Sequence, residues 1–301
     1  MSIKQRNCNS CGINTFHSFK DVPLCKICQM GLEDKLKAQN ISNFKRRKVR
    51  VLFYDIETSP IKAWVWRVGK QVIRHHQLDD EYNLSGIICV GYKWNDRNPA
   101  KVIGWDYSEQ DSERVIERFD KIAEKADIVI GKNSDRFDVK HLNTQRMIAG
   151  LPGLPNWLNN TDDVERQFRK NFYFPSYSLD YLSKTLLKNK GKNEMRFDDW
   201  INIVNQKSRS SYRKMLDYCK KDVEDTAKLW NYANAHFKPK FNMATFNRAI
   251  CCRSCGSNRI KKNGTRPRGK TTYQMFFCNN HGGYAGEAPI NLKKGTFGKI
   301  G

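Results

Sequence analysis

The stretch VRVLFYDIET, residues 49–58, is apolar and β-branched as far as Tyr54 and then carries two acids two positions apart, Asp55 and Glu57. Side chains alternate between the faces of a strand, so Asp55 and Glu57 project together while Ile56 points into a core. GIICVGYKW (86–94) and AKVIGWD (100–106) repeat this texture after turn-like segments, which predicts a three-strand meander. SEQDSERVIERFDKIAEKA (108–126) then sets Val115, Phe119, Ile122 and Ala126 at helical spacing, with Ser108 as a cap. ADIVIGKN (126–133) reads as a buried strand. DVKHLNTQRMIA (138–149), SLDYLSKTLLKN (178–189) and the long segment 208–237 read as helices. A meander followed by alternating helices and a further strand predicts an α/β domain over 49–237, a mixed sheet flanked by helices.

Two cysteine-bearing pieces flank this domain. Cys8-x2-Cys11 is followed thirteen residues later by Cys25-x2-Cys28, and each pair can turn two thiolates toward one tetrahedral ion. Residues 1–30 are therefore expected to be a zinc module, too short to fold without its metal. Residues 31–48 follow as a basic linker ending in Lys45-Arg46-Arg47-Lys48. A second module is expected over 238–301: Cys252-x2-Cys255, a 22-residue arm, then Cys278-x2-His281. Cys251 adjoins Cys252 and competes with it as a ligand. The arm holds Lys261, Lys262, Arg266, Arg268 and Lys270, with Tyr273, Phe276 and Phe277 close by. Basic residues interleaved with aromatics suit tracking a nucleic-acid backbone and stacking its bases.

The composition agrees with such a partner. Against 31 Asp+Glu stand 54 Lys+Arg, a formal charge of +23. The charge is spread along the chain, and a field of this size attracts polyanions. No run approaches the roughly 20 apolar residues needed to span a bilayer, and the first residues lack the apolar core of a signal peptide. A soluble, intracellular protein is expected, with no membrane partner. Most of the ten cysteines fall in Cys-x-x-Cys-type pairs, which in a reducing compartment favours metal ligation over disulfides.

Three pieces of chemistry lie along the main domain. Asp55-x-Glu57 on one strand face can hold a divalent ion. Asn133-x3-Phe137-Asp138 sits where a buried strand gives way to a helix, a place where an Asp is usually a cap. Tyr218 and Asp222 stand four apart, on one face of the last helix, which Met215, Cys219 and Val223 would anchor. Each has an ordinary explanation alone; their order is harder to dismiss. His17, His75, His76 and His141 show no such context, Trp64, Trp66, Tyr92 and Trp94 read as core or wall residues, where a wall aromatic could stack a base, and Cys89 as packing.

This ordered set resembles the exonuclease superfamily named after its four acids, in the tyrosine variant that includes the proofreading domains of DNA polymerases. DIVIGKNSDRFD, NFYFPSYSLDYLSKTLL, Phe197-x2-Trp200 and YCKKDVEDT look like a phage-encoded group related to the family B polymerase exonuclease domain. CCRSCGSNRIKKNGTRPRGKTTYQMFFC resembles a transposase-like zinc ribbon. The resemblance implies a ribonuclease H-like fold and 3′→5′ hydrolysis of DNA by a two-metal mechanism, in the cytoplasm of a host cell, alongside phage replication proteins. It implies that Asp55 bridges two Mg²⁺ or Mn²⁺ ions, that Glu57 and Asp222 complete the first and that Asp138 holds the second. Asn133 and Phe137 would grip the terminal nucleotide. Phenols titrate at about 10, so Tyr218 would orient the attacking water by its hydroxyl. Two departures, Ser134 where glycine is common and Lys132 where an aromatic or histidine is common, remove no metal ligand. Two Zn²⁺ complete the expected cofactors. A transposase-like or regulatory DNA-binding protein on a ribonuclease H-like scaffold is the alternative, as is a structure-specific endonuclease or an exoribonuclease.

Overall fold

Val51–Thr58 forms the central strand, β1, of a five-stranded mixed sheet. Beside it run β2 (Ile87–Trp94), β3 (Lys101–Gly104), β4 (Ile128–Gly131) and β5 (Thr161–Asp163), in the order β3-β2-β1-β4-β5. The first three strands are the expected antiparallel meander, and β4 and β5 add in parallel. The computed structural model describes residues 49–291 apart from 81–83, 96–97, 107, 190–194, 238–239 and 245–250, together with 6–7, 14–15, 18–19, 22–23 and 296–297. Residues 1–47 and 48–301 are separate compact units. In the first, Arg6–Asn7 pairs with Asn14–Thr15 and Ser18–Phe19 with Val22–Pro23. Cys8, Cys11, Cys25, Cys28 and the basic linker lie outside the described residues.

The alternation along β1 sorts the core into two layers. Leu52, Tyr54 and Ile56 face one cluster with Val90, Ile116 and Phe119. Val51 and Phe53 face the other, with Ile130, Phe168, Leu182, Val223 and Trp230. Side chains two apart share a face, so Asp55 and Glu57 continue the Val51–Phe53 row at its far end. Helix α1 (Ser112–Ala123) bridges β3 and β4 and buries Val115, Ile116, Phe119 and Ala123. Its cap is Asp111, which accepts from the backbone N–H groups of Glu113 and Arg114, and not Ser108. Ser108 belongs instead to a turn closed by Asp106.

After β4 come α2 (Asp138–Ile148), β5, α3 (Val164–Asn171), α4 (Leu179–Leu187), α5 (Phe197–Gln206) and the 25-residue α6 (Arg209–Ala233). Strand β5 and helices α3 and α5 are absent from the sequence-based expectation. The strand reads Thr-Asp-Asp and has no apolar run, and α3 buries only Val164, Gln167 and Phe168. Trp64 and Trp66, expected in the core or a wall, are 70% and 102% exposed. Tyr92 and Trp94 are half-buried against the core, and Cys89 is fully buried.

Beyond α6, β6 (Ile260–Arg268), β7 (Thr271–Cys278) and β8 (Gly283–Asn291) form an antiparallel sheet, closed by Thr296–Phe297. The 22-residue arm is thus a hairpin, turned at Gly269 with φ of 54°. This sheet rests on the start of β1: Gly256 sits beside Val49 and Met243, and the Met243 N–H donates to the Arg253 carbonyl at 2.8 Å. Among the described residues no helix is long and apolar enough to cross a membrane.

Candidate active site

Glycine 91 explains why α6 comes to Asp55. Gly91 pairs with Asp55 across β1 and β2. A Cβ there would meet Cys219 Sγ and Val223 Cγ2 at 2.9 Å and the Cys219 carbonyl at 3.0 Å. Only a residue without a side chain lets the helix lie directly on the sheet at this point. Met215, Cys219 and Val223 are fully buried, as their spacing predicted. The Cys219 thiol donates to the Asp55 carbonyl oxygen at 3.7 Å, and ligand atoms of Asp55, Glu57 and Cys219 lie within 4.8 Å of one another. Hydrogen bonding with Cys89, then burial, then the charges of Cys89, Asp55 and Glu57 push this thiol well above its ordinary range. It is a neutral, soft group behind hard carboxylates, a poor ligand for the ions those acids select. Sequence reading took Cys219 only as an apolar anchor; no spacing signal marks its approach to the acids.

Asp138 reaches the same point from the other side. It is the first residue of α2 and not its cap, since Phe137 holds the cap position without a side-chain bond. Its Oδ1 accepts the Ile56 backbone N–H at 3.1 Å, which ties α2 to β1 between the two acids. The turn before it is fixed by Asn133, at φ 59° in the left-handed region that asparagine tolerates. Asp163, at the end of β5, accepts the N–H groups of Asn133, Asp135 and Arg166 at 3.0, 3.2 and 3.1 Å. Sequence reasoning missed this residue, whose one signal is a capping position before α3. Ser134 is buried, and Lys132 pairs with Glu165 at 2.7 Å.

The charges of the other three acids all act on Asp55. Burial first, then the charges of Asp138, Glu57 and Asp222, hold the Asp55 carboxyl well above the usual carboxylate range. Burial also pushes Asp138 up to about 7 against the backbone N–H groups that favour its anion, with Asp163 adding to the rise. Clustered buried anions repel unless a cation neutralises them, so the donor set fits divalent metal. Asp222 is buried on α6, one turn beyond Tyr218. The Tyr218 ring stands edge-on to Trp200 of α5, centroids 6.4 Å apart at 74°. Phe137, 41% exposed, packs on His141 with centroids 4.3 Å apart.

A second cluster is chemically distinct. Ligand atoms of Cys252, Cys255, Cys278 and His281 lie within 4.8 Å of one another. Cys252 Sγ stands 3.1 Å from His281 Nε2, and Cys255 Sγ 3.7 Å from Cys278 Sγ. Zinc–sulfur bonds of ~2.3 Å in a tetrahedron set ligand sulfurs roughly 3.8 Å apart, so the residues present fit a zinc ion. Cys251 is buried but outside this group, whereas Cys252 belongs to it. The Cys252 thiol is pulled down to about 4, chiefly by the Cys255 hydrogen bond and also by His281, while that same bond and burial push Cys255 up. Lys261, Lys262, Arg266 and Arg268 lie exposed along β6, and Lys270 in the turn. Arg268 pairs with buried Glu287 at 2.6 Å, so its charge is partly matched. Phe276, expected to help stack bases, is buried beside Cys252 and Cys278.

The sequence family described as the RNase_H superfamily matches residues 52–234, from the start of β1 through the end of α6. The chain belongs to the RNase H superfamily. Its five-stranded order and flanking helices are the RNase H-like architecture expected from the sequence. Among solved structures, the family B DNA polymerase from the hyperthermophilic archaeon Pyrobaculum calidifontis is similar at 17% identity with a TM-score of 0.47, over 62% of this chain. The match spans 25% of that polymerase. Among curated proteins, none matches the sequence.

Proposed function

We propose that this RNase H-like protein is a metal-dependent 3′→5′ exonuclease acting on single-stranded DNA or on 3′ ends. The convergence of Asp55, Glu57, Asp138 and Asp222 supports this above all, since their mutual repulsion calls for cations. These acids would hold two Mg²⁺ or Mn²⁺ ions, which hard oxygen donors select. Such ions, when bound, lower the pKa of water and neutralise charge on the phosphate and the leaving oxygen. The chain's own side chains supply orientation. Tyr218, steadied by Trp200, directs its hydroxyl to the attacking water. Phe137, backed by His141, offers a ring to the terminal base, and Asn133 shapes the turn beneath it. Cys219 keeps its proton and supports the Asp55 backbone.

The flanking pieces fit the same job. Cys252, Cys255, Cys278 and His281 would hold one zinc ion, and Cys8, Cys11, Cys25 and Cys28 another. Lys261, Lys262, Arg266 and Lys270, with Arg268 in a lesser role, would grip phosphates. A phage origin and partnership with replication proteins rest on the sequence resemblance.

The test is a product ladder from 5′-labelled single-stranded DNA and RNA of one sequence, with and without Mg²⁺, with the 3′ end free or blocked. Stepwise shortening of DNA that needs both Mg²⁺ and a free 3′ end is expected. Internal cutting of blocked strands would establish an endonuclease instead, stepwise loss from RNA alone an exoribonuclease, and no cutting with Mg²⁺ or Mn²⁺ a DNA-binding scaffold.

A further inference from the structure

Immediately after the acids of β1, the chain runs out into a loop with an unusual surface. Between Pro60 and Leu78 it carries four Lys or Arg residues and no acid. Its stem is pinned. Ala63 bridges Leu78, the Trp64 N–H donates to the Gln77 carbonyl at 2.7 Å, and the Asp79 N–H donates to the Lys62 carbonyl at 2.9 Å. The Gln77 side chain ties the two arms further, accepting from the Arg74 N–H and donating to the Trp64 carbonyl. Beyond this stem Trp64, Trp66, Val68 and Val72 stand in solvent.

Such exposure of large apolar groups is costly in a free surface and marks a contact site. What covers it is indicated by charge. Arg67, Lys70 and Arg74 have no carboxylate partner among the described residues, whereas Lys62 pairs with Asp79 at 3.6 Å with its ammonium 5.9 Å from the Trp64 ring centre. Exposed indoles interleaved with unmatched cations are what a single strand of nucleic acid requires, since bases stack on the rings while phosphates meet the charges. A duplex hides its base faces and could use only the charges.

Position gives the strand a route. A cavity lined by Ile61, Leu84, Ser85, Lys140, His141 and Gln145 joins the foot of the loop to α2. His141 in turn stacks on Phe137, the residue before Asp138. Contacts thus lead from Phe137, next to Asp138, through His141 to a cavity shared with Ile61, three residues before Trp64. We propose that the loop 61–76 is a single-strand contact, in which Trp64 and Trp66 stack bases upstream of the strand end and Arg67, Lys70 and Arg74 hold its phosphates. Only the statement that the end lies at Asp55 rests on the exonuclease reading; the contact itself does not.

The experiment uses the full chain in Mg²⁺-free buffer, so that binding is read without hydrolysis. An oligothymidylate of roughly 16 nucleotides, the upper site size of a single-strand groove, is titrated while tryptophan fluorescence is followed. The single strand should quench the wild type, and a blunt duplex of equal length should quench it far less. Trp66→Ala should weaken single-strand binding by roughly 5- to 140-fold, the range for loss of one base stack. Trp66→Phe should restore most of it. Because Trp66 is fully exposed, its truncation removes no core packing. Wild-type affinity in both Trp66→Ala and Trp64→Ala would overturn the proposal, as would equal quenching by the duplex. So would a tryptophan blue shift with anionic phosphatidylglycerol vesicles and none with the oligonucleotide, which would assign the loop to a membrane surface. A wild-type chain that binds and quenches here yet cuts nothing with Mg²⁺ would sink the exonuclease reading and leave this contact standing.

Discussion

The carboxylate cluster and the Cys/His cluster are both gatherings of polar groups, yet they are built in opposite ways. The acids come from β1, α2 and α6, elements separated by as many as 167 residues from Asp55 to Asp222. The thiols and imidazole come from 30 consecutive residues, Cys252 to His281, shaped by one hairpin. The first cluster is a product of the whole domain and is sensitive to distant packing. The second is local, and its geometry depends on the loops that carry it. Their donor atoms differ too: hard carboxylate oxygens favour ions such as Mg²⁺ or Mn²⁺, whereas soft thiolates favour ions such as Zn²⁺.

Substitutions can break or sharpen this contrast. The largest effect is expected from Asp55→Ala, which should cut Mg²⁺-dependent hydrolysis by roughly 1,000-fold or more, because several kcal/mol of charge stabilisation at 1.36 kcal/mol per tenfold is at stake. Oligonucleotide binding should largely survive. Near wild-type turnover by purified Asp55→Ala would remove the proposed centre. Tyr218→Phe keeps the ring on Trp200 and loses only the hydroxyl, so a fall of roughly 10- to 100-fold in kcat is expected, at or below the usual range for a positioned proton-handling group. A loss as deep as that of Asp55→Ala would give the hydroxyl a more direct role.

Gly91→Ala tests how far the acid cluster depends on distant packing. The added Cβ must displace Cys219 and Val223, which should cost about 1–3 kcal/mol of stability and lower turnover, measured by thermal melting and kinetics together. Unchanged values for both would mean that α6 shifts freely over the sheet. Cys252→Ser tests the local cluster: elemental analysis should find one zinc fewer per chain, and proteolysis should begin within 252–291 before it reaches the RNase H-like core. Equal zinc content in variant and wild type would refute that ligand set. The smallest effect is expected from Lys261→Ala combined with Lys262→Ala, where the slope of log affinity against log salt should fall by roughly 0.7 per lost contact on single strands. An unchanged slope would assign β6 a purely structural role.

How legible each region was follows from the same contrast. The meander and the helices α1, α2, α4 and α6 announce themselves through apolar periodicity, and the Cys/His spacing survives intact into three dimensions. Asp55, Glu57, Asp138 and Asp222 form an ordered set in the sequence, and the charges of the other three all raise the Asp55 carboxyl. Strand β5 was not legible, because its pairing is supplied by β4 and its own side chains are polar. Asp163 shows only a weak capping signal, since its task is to accept three backbone N–H groups and most backbone partners leave no mark on sequence spacing. The two tryptophans after β1 were misjudged because aromatic composition signals burial by default, and nothing local reveals that the stem turns them outward.

Strand β1 also works as a ruler. Val51 and Phe53, near its beginning, line a cavity shared with Cys255 and His281, whereas Asp55 and Glu57 stand toward its end. Six residue steps separate Val51 from Glu57, about 20 Å at ~3.3 Å per step. Because β1 is the middle strand of the sheet, that span cannot stretch or shorten without unfolding the domain. On the exonuclease reading proposed above, a strand held by the C-terminal sheet and trimmed at the acids would be released once it no longer bridged the distance between them, leaving a remnant whose length is set by the protein and not by the nucleotide sequence.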